Sequence, residues 1–330
     1  TRFGEISVEI PRDRNGEFKQ HTVPSYKRST DDLESMIIQM YQRGITTSEI
    51  SELIERMFGM YYTPQTISNM TQVLSDQVEA FHTRQIQSRY VSLYLDATYL
   101  SVRRDRVSKE ALHIIVGITE EGIKEILDYR LYPSESSENY REMLEDLKSR
   151  GLEEALICVS DGLIGLRDVC LEVFPHTQHQ SCWVHLSRRI GHLVRAKDKG
   201  VVLNDLKEVY QAKSKNDAYT QLEAFRAKYE RHYPKAVQVL NNTESLLSFY
   251  NFPPSIQRSI YTTNLIENLN KQLKRQTKKK EQFPNEESLD RFICSLFINM
   301  NQKFQTRIHK GFNKSEYELE NYFDNTIYES

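Results

Sequence analysis

The sequence predicts an α/β protein: a mixed β-sheet with flanking helices, an all-helical insertion, and an N-terminal hairpin followed by a helical segment. Three observations carry this expectation. Three runs of β-forming residues follow one another between 91 and 132 and then give way to strand–helix–strand alternation. Capped, periodic helical segments fill 31–87. Residues 184–250 keep a helical pattern with no strand signal.

Taken in order, "ISVEI" and "EFKQHTV" flank "PRDRNG", where Asn15-Gly16 is a strong hairpin turn, so 5–23 reads as a β-hairpin. In 31–87, Gly44 breaks a first helix from a second that Thr47 heads, and Thr63 with Pro64 heads a third. Three short helices so broken read as a helix-turn-helix DNA-binding unit, or more plainly as a helical bundle. Strands are expected at 91–103, 111–119 and 124–132, then a helix at 137–150 on the apolar stripe of Leu144 and Leu147. A buried strand "ALICVS" (155–160), a helix at 163–174 and a short strand near 178–183 follow, and helices are expected at 262–280 and 286–307. The expected domains are 1–30 (hairpin and linker), 31–88 (helical, DNA-binding), 89–185 (core, first part), 186–260 (all-helical insertion) and 261–330 (completion of the core and C-terminal helices).

At 330 residues the chain can bury a sizeable core and is long enough for two domains or more. Its hydrophobic share of 38% and charged share of 27% suit a soluble globular protein. No run of about 18 apolar residues is present, so no membrane span is expected. No secretory leader is read, and because the chain opens on Thr1 a further upstream segment is expected. Cys158, Cys170, Cys182 and Cys294 lack disulfide-like spacing, which favours a reducing cytoplasm. The net charge of −2 does not announce a nucleic-acid binder, but its distribution is uneven. Residues 262–280 hold Lys271, Lys274, Arg275, Lys278, Lys279 and Lys280 against the single acid Glu267, whereas 281–330 hold nine acids against five bases.

Three carboxylates stand out. Asp96 sits inside a strand of β-formers, "YLDATYLSVRR", where a buried charge needs a partner. Asp161 closes "ALICVS", at the carboxyl end of a strand, where open α/β sheets place ligands. If the two strands are neighbours the acids face each other, and a divalent cation such as Mg²⁺ is the usual remedy for their repulsion. A turn hydrogen bond for Asp96 and a helix cap for Asp161 are the plainer alternative. Glu267 follows Asn264 by three residues, a near capping box, yet it also shares a helix face with Lys271, Lys274 and Lys278 while Ile266, Leu269 and Leu273 share another. An acid heading a cationic stripe suits a metal ligand beside a phosphate backbone, although such a run is more often a solvated face.

The chain resembles the Mutator-type bacterial insertion-sequence transposases, a branch of the DDE superfamily with an RNase H-like catalytic core. The carriers are "PRDRNGEF" (11–18), "YLDATYLSVRR" (94–104), "VSDGLIGL" (159–166), "QSCWVHLSRRI" (180–190), "YTTNLIENLN" (261–270) and "FP" (283–284), in the family's order and spacing. The resemblance implies that Asp96, Asp161 and Glu267 are the catalytic and metal-binding acids, holding two Mg²⁺ (or Mn²⁺) ions. It implies cleavage at transposon ends and strand transfer onto a target, in some relatives through a circular intermediate, by a homodimer acting on double-stranded DNA in the bacterial cytoplasm at the nucleoid. Lys271, Lys274, Arg275, Lys278, Arg103, Arg104, Arg188 and Arg189 are the expected DNA contacts. Asn139, Tyr140 and Tyr229 depart from the family pattern, which often has aromatic residues including Trp near these places. The family's Cys-x-x-His motif falls on Cys182 and His185, read as structural; with His176 and His179 they form steps of three, which do not match a structural zinc site. His113 reads as a core histidine. The rival readings are a stand-alone RNase H-like nuclease and an inactive protein that binds terminal repeats.

Overall fold

A computed structural model describes residues 31–103, 107–278, 283 and 285–328. The expected hairpin at 5–23, Arg104, Lys279, Lys280 and Pro284 lie outside the described residues. The chain forms two compact units.

The first unit contains α1 (Asp31–Gln42), α2 (Thr47–Phe58), α3 (Pro64–Met70), α4 (Leu74–Thr83) through Phe81, and Arg275–Phe297. Thr46, rather than the expected Thr47, caps α2. It closes a capping box in which Glu49 N–H donates to Thr46 Oγ1 at 3.2 Å and Thr46 N–H donates to Glu49 Oε2 at 2.8 Å. Thr63 caps α3 with Pro64 in the first helical position, as expected. A fourth helix, α4, extends the three foreseen. Ile37, Ile50, Ile54 and Ile67 are fully buried, and Tyr41 meets Phe292 edge-on at 6.2 Å while its hydroxyl donates to Ser288 O at 3.2 Å.

The second unit is built on a five-stranded mixed sheet of β1 (Arg89–Arg103), β2 (Val107–Ile118), β3 (Lys124–Tyr132), β4 (Glu154–Ser160) and β5 (Gln178–Ser181), in the order β3-β2-β1-β4-β5. β2 and β3 are antiparallel, and β1–β4 and β4–β5 are parallel. A parallel pair needs a crossover, and α5 (Ser137–Ser149) and α6 (Leu166–Val173) lie in the two connections. Leu144 and Leu147 of α5 and Val169 and Cys170 of α6 pack with Leu93, Leu95 and Tyr90 in one buried cluster. Gly117 on β2 is needed for this packing: a Cβ there would stand 2.4 Å from the Tyr90 ring. His113 is a core histidine, with Tyr132 and Tyr140 rings at 5.0 and 4.7 Å. The open edge of β3 is covered by Asn301, whose side-chain amide both accepts from Ile126 N–H at 2.8 Å and donates to Ile126 O at 3.0 Å, in effect pairing one residue of the edge.

After β5 the chain is helical, as the sequence predicts: α7 (Trp183–Leu193), α8 (Lys199–Tyr210), α9 (Lys215–Tyr229), α10 (Pro234–Gln238), α11 (Thr243–Leu247) and α12 (Pro254–Ile260). Gln180 on β5 anchors this stretch, accepting from Phe249 N–H at 2.9 Å and donating to Leu246 O at 3.0 Å, and Trp183 Nε1 donates to the same carbonyl at 2.8 Å. The chain then returns through α13 (Asn264–Thr277), α14 (Glu286–Phe304) and α15 (Glu316–Tyr328).

Candidate active site

The parallel register of β1 and β4 pairs Leu95 with Ser160, so the next residues, Asp96 and Asp161, are neighbours at the carboxyl end of β4. Gly162 lets the chain turn away there: its φ is 93°, a left-handed conformation costly for other residues. The Asp161 side chain fixes the turn by accepting from Leu163 N–H at 3.3 Å. This turn postpones the helix expected at 163–174, which starts only at Leu166.

Asp96 is only 8% exposed. Its Oδ1 accepts from Ala97 N–H at 3.0 Å and its Oδ2 from the Asn270 amide at 2.8 Å. Asp96, for which the sequence suggests a cation or a turn hydrogen bond, thus also has a side-chain partner supplied by α13. Burial, then the charge of Asp161, pushes the Asp96 carboxyl up to about 7, with His185 pulling the other way. Glu135, in the loop after β3, is raised by burial and then by Asp161. Nothing in the sequence flagged Glu135, whose neighbours Ser134 and Ser136 read as an ordinary turn.

Glu267 lies in the first turn of α13 and is 9% exposed. The near capping box does not form. The helix begins at Asn264, and Glu267 N–H already bonds to Thr263 O at 2.9 Å, which leaves the Glu267 carboxylate free to face elsewhere. It takes a bidentate pair of hydrogen bonds from Arg188 Nη1 and Nη2, both at 3.0 Å, and His185 Nε2 stands 3.5 Å away. Arg188, expected to contact DNA, is thus bound to an acid. Arg189, Lys271, Lys274, Arg275 and Lys278 are exposed, and the side chain of Arg103 lies outside the described residues.

Cys182 and His185 tie α7 to the start of α13. Cys182 Sγ accepts from Thr263 N–H at 3.2 Å and Thr263 Oγ1 at 3.1 Å, and Thr263 Oγ1 is 3.3 Å from His185 Nδ1. Burial works to raise the thiol, but the bonds from His185 and Thr263 outweigh it and hold it below its usual value. Cys182 in turn lifts His185 to about 9, helped by Asp96 and Asp161, so an imidazolium stands among the acids at neutral pH. His179 is turned to a different task, bonded to Ser160 at 2.9 Å and Ser245 at 3.1 Å, and burial lowers it to about 4.

Among the described residues, no three His, Cys, Asp or Glu groups converge closely enough to hold one metal ion. Two features nevertheless suit a hard cation. The charge of Asp161 adds to the cost of ionising the buried Asp96, and the buried Asn270 Oδ1 has no hydrogen-bond partner. Carboxylate and amide oxygens are the donors Mg²⁺ and Mn²⁺ prefer.

The family profile described as "Transposase, Mutator family" matches residues 1–307. The transposase for insertion sequence element IS905 of Lactococcus lactis is 44% identical over 98% of this chain and 83% of its own length. The IS1201 transposase of Lactobacillus helveticus is 43% identical over 89% of this chain and 80% of its own. The IS256 transposase of Tn4001 from Staphylococcus aureus is 27% identical over 95% and 82%. Among solved structures, the Drosophila P element transposase strand transfer complex aligns over 91% of this chain and 87% of that one at 12% identity, with a TM-score of 0.33, too slight a likeness to carry weight.

Proposed function

The chain belongs to the Mutator family of transposases, and from that premise we propose that it cuts transposon ends and joins them to target DNA with Asp96, Asp161 and Glu267 as its catalytic acids. One observation carries the assignment. The Asn270–Asp96 hydrogen bond brings α13, the helix of Glu267, against β1 at Asp96, beside Asp161 at the carboxyl end of β4. The sheet order β3-β2-β1-β4-β5, with helices after β3 and β4 and a long helical stretch before α13, supports an RNase H-like core with an all-helical insertion. The broken helices α1–α3, with an exposed surface on α3, suit a helix-turn-helix DNA-binding unit.

Asp96, Asp161 and, once released from Arg188, Glu267 would hold divalent cations, with the free Asn270 Oδ1 beside them. Bound there, Mg²⁺ or Mn²⁺ supplies activation of the attacking oxygen and charge stabilisation at the leaving one. Asn270 holds the Asp96 carboxylate in one orientation, and the Thr263–Cys182–His185 bonds brace the first turn of α13 behind Glu267. In the first reaction water attacks the phosphodiester at a transposon end, and the departing oxygen leaves as a DNA 3′-hydroxyl. In the second, that hydroxyl attacks a target phosphate, one bond replaces another, and a target 3′-hydroxyl departs. No protein side chain bonds covalently to DNA. The exposed Lys271 and Lys274 lie on from Glu267 along α13 and would position phosphates without reading bases. Pairing two ends calls for a homodimer, and the place of action is the bacterial nucleoid.

The test is incubation of the protein with DNA carrying the inverted repeats that flank its own reading frame, plus Mg²⁺ or Mn²⁺. The expected products are free 3′-ends and end–target joints. Cutting without joining would replace the proposal with a nuclease, and binding alone would replace it with a terminal-repeat binder.

A further inference from the structure

Glu267 is the one proposed catalytic acid whose carboxylate is fully engaged by a cationic side chain. Both its oxygens receive an Arg188 N–H at 3.0 Å, and His185 stands 3.5 Å from one of them. A guanidinium in that position repels a divalent cation approaching the same oxygens, and it occupies the lone pairs the cation needs. Among the described residues the three acids do not converge on one cation position.

The two partners differ in freedom. The Glu267 side chain is 10% exposed, while that of Arg188 is 53% exposed, on a helix that also presents Arg189 to solvent. The arginine can therefore leave and the glutamate cannot follow. A phosphodiester is a competing partner of the right kind, because a guanidinium grips phosphate with the same two-pronged geometry it uses on a carboxylate. Burial of Glu267 also makes an empty exchange costly: if Arg188 left for water alone, a nearly buried carboxylate would lose its main partner. The swap is favoured only when phosphate receives the arginine and a cation receives the glutamate.

We propose that Arg188 is a DNA-responsive latch: in the free protein it neutralises Glu267 and keeps the cation site incomplete, and on a DNA phosphate it releases Glu267 to complete that site. The proposal rests on the assignment of Glu267 as a cation ligand. Its consequence is reciprocal coupling, in which DNA strengthens cation binding and cation strengthens DNA binding by one factor. The protein would then assemble its hydrolytic site only where DNA already lies.

The experiment measures Mn²⁺ affinity by electron paramagnetic resonance of free Mn²⁺, with and without a short duplex lacking transposon ends, and with the duplex alone as a blank. For the unaltered protein the affinity should rise about tenfold with DNA. In Arg188→Gln the affinity without DNA should rise by a similar factor, and the effect of DNA should shrink to about twofold or less. The measurement on the unaltered protein needs no variant, and a thermal melt shows whether the variant is folded. No change in Mn²⁺ affinity with DNA would overturn the latch, as would a folded Arg188→Gln protein that binds Mn²⁺ no better than the parent. Glu267→Gln separates the two ideas. If it binds Mn²⁺ as the parent does, the ligand assignment itself fails. If it loses Mn²⁺ while Arg188→Gln gains none, only the latch fails.

Discussion

Removing the Asp96 charge should stabilise the cation-free protein at neutral pH. Burial and the adjacent Asp161 raise Asp96 from 3.8 to about 7 in the fold. An acid raised in this way favours folding most when protonated. Its contribution is fully present below about pH 4, the unfolded value, and is lost as pH climbs through about 7. At about 1.4 kcal/mol per pH unit, ionising Asp96 in the fold costs up to about 4 kcal/mol relative to the unfolded chain. Asp96→Asn keeps the shape and can still accept from Asn270, so it escapes this cost. Urea unfolding in a chelating buffer should find the variant more stable than the parent, by a margin that grows between pH 5 and pH 8. Glu135, raised for the same reasons, loses stability in the same direction in both proteins, whereas His185, which the Asp96 charge helps to raise, is held less firmly in the variant and trims the gain. Adding Mg²⁺ at pH 8 should stabilise the parent and leave the variant unmoved. A variant no more stable than the parent at pH 8 would refute the view that Asp96 and Asp161 are held in mutual repulsion.

Asp128 is fully buried, with His82 Nδ1 at 2.8 Å, Arg130 Nε at 3.1 Å and Arg150 Nη1 at 3.5 Å. Asp128→Asn should cost about 1.5–3 kcal/mol in chemical unfolding, because it removes the buried charge that His82 and Arg130 bond while Arg150 keeps Asp146 at 3.2 Å, and a loss under about 0.5 kcal/mol would show that the network is not needed. Cys182→Ser should lower the melting temperature through weaker bracing of Thr263 and His185; about one zinc per chain in the parent by elemental analysis, lost on substitution, would instead reveal a metal role. Lys271→Ala should weaken binding to end and random duplexes alike and reduce the salt slope by roughly 1, and a loss confined to end sequences would contradict a phosphate-positioning role.

The strands and helices from β1 to β5, and α13 and α14 after them, were legible through local signals: β-branched and aromatic runs, Gly and Pro breaks, and the apolar stripe of α13 whose Ile266, Leu269 and Leu273 are all buried; residues 184–250 were legible as helical but not in their division into separate helices. Boundaries slipped where turn chemistry intervened. Gly162 and the Asp161 turn delayed α6, and Thr263 rather than Asn264 precedes the first residue of α13. Asp96 inside one strand and Asp161 just after another also stood out in the sequence, and the β1–β4 register makes them neighbours. What surrounds them was not legible. Asn270 reads as a solvent-facing residue of a charged helix and is buried only because β1 lies against it. Its spacing of three from Glu267 on the same helix was the one available signal. Glu135 comes from a loop, and the Arg188–Glu267 pair joins residues 79 apart, so both depend on tertiary packing that no local pattern encodes.

The most direct measurement is strand transfer by Glu267→Gln with a precut transposon end and Mg²⁺, alongside binding of that end. The substitution keeps the size of the side chain and its place in the first turn of α13 while removing the charge a cation would require. No joined product is expected, with end binding close to that of the parent. Joined product at the parent's level from folded Glu267→Gln protein would contradict the assignment of Glu267.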